Sequence, residues 1–466
     1  MQNRNRGKLT RRARVASNAV RDGFRRNALE FFPIRKELQG YNAEKGLGDL
    51  RAGFNVALLA FPQGMAYALI GGLPVQYGIY CAALACIFGP LFSGSRFIAL
   101  GPTNATSVML MSTISGMVLV SDKLAAMPTL LLLVAMFLIL GALLGVANLI
   151  QYISRSVVTG YITAAAVLII ANQLDSVMGF EIQGASTFVG VLEKTFLSLN
   201  LVHWPSVTLG GITLVLFLVL VKKLPMMPNV AITLVTMSLV GLLFNKNGYN
   251  LVLLDQVPMG VLPVSIPIPK FDLINQLAPG ALAIAFLAIL EGSSIGKSLA
   301  ARAGGRINSN QEMLGMGVAN LASAFVSGMP ASGSLTRSVL NFNSGSRTAL
   351  SNVFAGLICL AGVLSLGPLI GYIPRAALAV VVIGVGISLI NKQQIRIVSK
   401  STNTDALVFF LTLTAGLLFK LDFAIYLGTG ASIMLYLRKA STPELIEYTF
   451  NDQGDLTELK KKQDRA

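Results

Sequence analysis

Arg337 and Glu291 each stand inside a run that is otherwise apolar, small or hydroxyl-bearing. A guanidinium offers a forked set of donors suited to a tetrahedral or planar oxyanion. At bilayer depth it is costly unless paired or hydrated, so an arginine there points to function. Glu291 has Ser294 and Ser298 close to its face. A carboxyl whose charge depends on the balance between burial and a nearby Arg337 can carry a proton; the competing reading is a structural Arg337–Glu291 ion pair. Gln63 and Tyr67 are four apart, on one helical face. Their amide and phenol can donate to an oxyanion without adding charge, or simply to a neighbouring helix. Thr103, Asn104, Thr106 and Ser107 follow a Gly101-Pro102 break, and Leu335, Thr336, Arg337 and Ser338 follow a Gly333-Ser334 break. Each stretch reads as an extended segment turning into a short helix whose free amides would polarise its start. Two such starts facing one another would bind an anion. The hydroxyls can instead be plain N-caps, Ser334 above all. Covalent chemistry is disfavoured: the one histidine, His203, has no cluster around it, and paired carboxylates do not occur. No catalytic residue, metal or cofactor is expected.

The elements that must hold these residues are membrane helices. The chain is 54% hydrophobic and 12% charged, against about a quarter charged in ordinary soluble domains. Its net charge of +16 gathers in the N-terminal arm and short loops, which argues against nucleic-acid binding. Cys81, Cys86 and Cys359 lie in apolar runs and read as core-filling residues. Residues 1–47 form a basic arm carrying Phe24, Leu29, Phe31, Phe32 and Ile34, without the apolar region of a signal peptide. This arm reads as amphipathic and lying on an anionic leaflet, or as a solvated tail over 1–15. Apolar windows predict spans at 50–71, 77–93, 127–149, 155–174, 205–223 and 228–245, with a short helix over 102–117. After a Pro-rich connection, 246–279, a second set follows at 280–302, 312–327, 334–344, 349–370, 375–391, 404–420 and 423–438. Fourteen spans put both termini on one side with Lys222, Lys223, Arg302, Arg306, Lys392, Arg396, Lys400 and Arg438, which makes that side cytoplasmic. Lys297, Arg302 and Arg306 need no further role; Arg96 can support the site electrostatically, but is expected first in a salt bridge to another loop. His203 and Trp204 read as interfacial anchors.

An odd number of spans per half inverts the second half, 280–438, relative to the first, 48–245. The expected fold is an all-α polytopic membrane protein, a seven-plus-seven inverted repeat whose third and tenth segments are half-helices. FPQGMAYALIGGLPVQYGIY (61–80), GSRFIALGPTNATS (94–107), ILEGSSIGKSLA (289–300), RINSNQEMLGMGVAN (306–320) and GSLTRSVLNFNSGSRTALS (333–351) resemble the sulfate permease family of anion transporters and exchangers. The resemblance implies core and gate domains, a homodimer, and an anion site bordered by the positions of Gln63, Tyr67 and Arg337. It also supports proton coupling where position 291 is Glu, since some sodium-coupled members carry Asp. Members typically end in a cytoplasmic STAS domain, and 439–466 resembles the linker to one, in a truncated or a naturally short protein. The function expected is secondary transport of an inorganic anion, sulfate first, by proton symport across the plasma (inner) membrane. A bicarbonate, chloride or dicarboxylate carrier, or an anion channel, is the alternative. Protonated Glu291 would favour the anion and ionised Glu291 would repel it, so the two would travel together.

Overall fold

The computed structural model describes residues 21–115, 117, 119–148, 154–180, 187–224, 228–257, 262–441, 448–450 and 456–458. The expected N-terminal stretch 1–20 and most of the tail lie outside them. The principal helices are α1 (Ala43–Ile70), α2 (Val75–Phe92), α3 (Asn104–Ile114), α4 (Val120–Leu144), α5 (Arg155–Asn172), α6 (Trp204–Lys223) and α7 (Asn229–Lys246). They continue as α8 (Phe271–Arg302), α9 (Ser309–Ala324), α10 (Leu335–Asn343), α11 (Leu350–Ile370), α12 (Arg375–Leu389), α13 (Asn403–Leu418) and α14 (Leu421–Ala440). Strand β1 (Ala99–Gly101) leads into α3 and β2 (Ser332–Ser334) into α10, while β3 (Tyr448–Phe450) pairs antiparallel with β4 (Leu456–Glu458) in the tail. Among the described residues, nine helices are long and apolar enough to cross a membrane. The chain is a multi-pass membrane protein.

Two bundles form, one of α1–α4 with α8–α11, the other of α5–α7 with α12–α14. Their packing survives exchange of the two halves: α4 packs on α9 as α11 does on α2, and α4 on α8 as α11 does on α1. Likewise α6 lies on α12 as α13 lies on α5. The strands meet at the pseudo-symmetry point. β1 and β2 pair antiparallel, Ala99 opposite Ser334, Leu100 opposite Gly333 and Gly101 opposite Ser332, with all six residues buried. Extended backbone at membrane depth is tolerated only inside protein, and the pairing satisfies N–H and C=O groups that lipid would leave orphaned. Small residues bring α1 and α2 into backbone contact: a Cβ on Gly78 would lie 1.9 Å from the Gly64 carbonyl oxygen.

Several boundaries differ from expectation. Helix α8 starts at Phe271 rather than 280, because Pro279 sits inside it and membrane helices tolerate proline. Helix α4 starts at Val120 rather than 127, since its first turns are polar yet helical. Short helices at Ile34–Glu37, Leu174–Met178, Phe188–Leu197 and Lys392–Ser401 escaped an apolar-window reading, being too short or too polar. The arm from about residue 21 docks on the bundle of α1–α4 and α8–α11. Asn27 donates to the Leu143 carbonyl at 2.7 Å, Asn308 to that of Asn27 at 2.8 Å, and the Glu30 amide to Gln311 Oε1 at 2.8 Å. Phe31 and Phe32 stack on Phe92 at the end of α2 while staying largely exposed.

Candidate anion-binding site

Thr103 is the N-cap of α3. Its hydroxyl accepts from the Thr106 amide at 3.3 Å and Thr106 Oγ1 accepts from the Thr103 amide at 3.1 Å, a reciprocal box that leaves the helix start well formed. Ser107 donates back to the Thr103 carbonyl. Ser334 occupies the matching position before α10, but its hydroxyl makes no capping bond and lies 3.4 Å from Thr336 Oγ1. The plain-cap reading of Ser334 is therefore not what the side chain does. Ser338 ties the two halves together, accepting from the Ala99 amide at 2.9 Å and donating to the Ser334 carbonyl at 2.5 Å.

Arg337 is completely buried in the first turn of α10. Its Nη2 donates to the Pro102 carbonyl at 2.8 Å, across to the start of α3, whereas Nε and Nη1 are buried with no hydrogen-bond partner. Arg337 and Glu291 form no ion pair. Glu291, in α8, instead accepts from Thr103 Oγ1 at 3.1 Å and from Ser332 Oγ at 2.5 Å, so its carboxylate is held by both half-helix entrances at once. Gly101 makes room for the guanidinium: its φ is +150°, and a Cβ there would lie 2.7 Å from Arg337 Nη1.

Around this centre, Tyr67 is buried within electrostatic reach of both Arg337 and Glu291. Gln63 is half-buried one turn earlier on α1, with Oε1 unpartnered, and the half-buried Asn104 also has an unpartnered Oδ1. Leu335 and Thr336 are exposed, as are Ser294, Lys297 and Ser298 on α8, which gives a polar stripe running from Glu291 toward the face that carries the arm. The two unpartnered Arg337 nitrogens are orphaned buried donors, which cost free energy, and an oxyanion would satisfy them.

The sequence reading did not single out Ser332 or Tyr161, and it named Gly101 only as part of the break before α3. Tyr161 is fully buried in α5 and its hydroxyl donates to the Ala105 carbonyl at 3.1 Å, joining the second bundle to the start of α3. A tyrosine among Gly and Ala in α5 was a visible signal; the partners of Ser332 and Gly101 were not. Arg96 forms no salt bridge with a described residue, against expectation, and its guanidinium stacks on the Phe97 ring at 5.6 Å. The three cysteines are buried and unpaired, and Trp204 is exposed at the start of α6 beside His203.

The chain matches the Sulfate permease family over residues 47–412. It is 30% identical over 407 residues to "Sulfate transporter 4.1, chloroplastic" of Arabidopsis thaliana, covering 85% of this chain and 59% of that protein. It is 28% identical over 449 residues to "Solute carrier family 26 member 6" of Homo sapiens, covering 89% and 58%. The chain thus spans about three-fifths of the length of these relatives. Among solved structures, SLC26A9 superimposes with a TM-score of 0.81 at 18% identity, over 93% of this chain and 72% of that one. The transmembrane domain of the cyanobacterial bicarbonate transporter BicA gives 0.72 at 21% identity, over 84% and 98%. Both share the fold, and the family match over residues 47–412 establishes that this chain belongs to the sulfate permease family.

Proposed function

We propose that the chain is a secondary active transporter of an inorganic anion, sulfate first, taken up with a proton by alternating access. The observation that carries this reading is the completely buried Arg337, anchored to Pro102 and holding two unpartnered nitrogens where two half-helix starts converge. The amino ends of α3 and α10 supply partial positive charge. Thr336 and Ser334, with Tyr67, Gln63 and Asn104, supply neutral donors. A site of one full charge plus dipoles suits a small oxyanion that must also leave it. Glu291 shares Thr103 and Ser332 with that site, so its protonation state alters the hydrogen bonds at both entrances and the charge that the anion meets. Sulfate stands first because relatives of this chain are named as sulfate transporters.

In the same reading the fourteen principal helices are two inverted sets of seven, with the first repeat over 48–245, the second over 280–438, and 246–279 outside. The bundle of α1–α4 and α8–α11 is the core that carries the anion, and α5–α7 with α12–α14 is the gate. Both termini are cytoplasmic, in the plasma or inner membrane, and the protein works as a homodimer.

The test is uptake of labelled sulfate, bicarbonate, chloride and fumarate into proteoliposomes, with and without an inward proton gradient. Sulfate accumulation is expected to require the gradient. Glu291→Gln is expected to keep anion binding and lose the proton dependence. Unchanged proton-driven accumulation in that variant would remove Glu291 from coupling.

A further inference from the structure

Beside the docked arm, on the face where α2 and α10 end, lies a cavity of about 470 Å³. Four separate segments line it. Glu37 comes from the arm, Arg96 and Phe97 from the lead-in to β1, Arg306 from the turn between α8 and α9, and Phe342 and Arg347 from α10 and the loop after it. We propose that this cavity is a second anion site, separate from the Arg337 site, that takes a phosphate group, either free or as a lipid headgroup.

Three observations support the assignment. The three arginines are exposed and none forms an ion pair with a described residue, so like charges converge with one carboxylate among them. The preference for basic residues on one membrane side explains why arginines occur on this face. It does not explain why three from different segments share one cavity, where their mutual repulsion is relieved by an anion. The walls are fixed before any ligand arrives. The Arg347 amide donates to Asp49 Oδ1 at 2.7 Å, Glu37 Oε2 accepts from the Ala349 amide at 2.6 Å, and Phe97 packs edge-on against Phe342 at 5.0 Å, with Arg96 stacked on Phe97. These contacts fix the backbone and rings of the wall and the Arg96 guanidinium, and guanidinium forks match phosphate oxygens in pairs. Lastly, the arm that contributes Glu37 to the cavity also exposes Phe31 and Phe32, as an element resting on lipid headgroups would.

A ligand here would bridge the arm to the segments that enter β1 and leave α10, and so act on the transport site from outside it. That consequence rests on the cytoplasmic placement of the arm proposed above; the binding itself does not.

The experiment uses the full chain in nanodiscs, with pyrophosphate as the probe in calorimetry. In phosphatidylcholine discs, pyrophosphate is expected to bind saturably to the wild type and to Arg337→Gln with equal affinity. The exposed pair Arg306→Gln with Arg347→Gln is expected to weaken it at least tenfold, and the charge-preserving Arg306→Lys with Arg347→Lys to restore part of it. A headgroup as the source would appear instead as thermal stabilisation in phosphatidic acid discs that the Gln pair abolishes. Pyrophosphate binding that Arg337→Gln removes but the Gln pair leaves unchanged would overturn the proposal. So would the absence of any effect sensitive to the Gln pair in both kinds of disc. Failure of proton-driven sulfate uptake would instead count against the transport reading and leave these binding results standing.

Discussion

Arg337 spends one nitrogen on the Pro102 carbonyl and leaves two in the protein interior without a partner. A hydrogen bond to a charged group contributes about 1.5–3 kcal/mol, so Arg337→Gln is expected to weaken sulfate binding roughly 10- to 100-fold, read by calorimetry on solubilised protein. Equal affinity before and after would defeat the assignment. Gly101→Ala tests the same geometry without touching a polar group. Its methyl would lie 2.7 Å from Nη1, and its φ of +150° is one that alanine avoids. The guanidinium must then shift off Pro102, and the variant is expected to lose anion affinity as Arg337→Gln does while keeping its charge. If Gly101→Ala binds sulfate normally, the guanidinium is not held where the site needs it.

The arm and the helix ends under it act as one element. Asp49 accepts from the Arg347 amide at 2.7 Å, the Thr348 amide at 2.9 Å and Thr348 Oγ1 at 2.6 Å, so a side chain of α1 caps the entry to α11. Asp49→Ala strands these donors and is expected to lower stability by about 2–3 kcal/mol, seen as a lower denaturation midpoint. Glu37, outside the spans, has its carboxyl raised above the usual range chiefly by burial, with the Ala349 amide and Arg96 pulling it back and Asp49 adding to the rise. The docked arm therefore holds that proton more tightly than the free arm does. Docking is strongest below the ordinary carboxylate range and weakens as pH rises through the raised value. Amide exchange at residues 34–38 should speed up over that interval beyond the intrinsic pH trend, and Glu37→Gln should remove the excess. An unchanged profile in that variant would show that Glu37 does not govern docking.

At the scale of the molecule, the parts legible in the sequence were those that break a pattern: an arginine and a glutamate in apolar runs, and Gly and Pro where a membrane helix should continue. The antiparallel pairing of Leu100 with Gly333 was not legible, because it joins segments half the chain apart, nor was Ser332 as a partner of Glu291, since serine is unremarkable in a run of small residues. Helix starts such as Phe271 were hidden because hydropathy marks the lipid and not the helix end. What the whole structure adds is an asymmetry between its two faces. Away from the arm the bundles are tied together: Ser112 Oγ accepts from the Leu421 amide at 3.2 Å and the Tyr426 hydroxyl donates to the Pro279 carbonyl at 2.5 Å. Toward the arm, Ser294, Lys297, Ser298 and Thr336 stand exposed. Alternating access requires the tied face to part, so a link across it should arrest the cycle. Ser112→Cys with Leu421→Cys, oxidised or bridged by a short thiol reagent, is expected to cut sulfate uptake more than tenfold and to regain it on reduction. The native Cys81, Cys86 and Cys359 are buried, and the single variants serve as controls. Uptake that persists with the link complete would mean that these two bundles do not separate here during transport, and the motion would have to be sought between other elements.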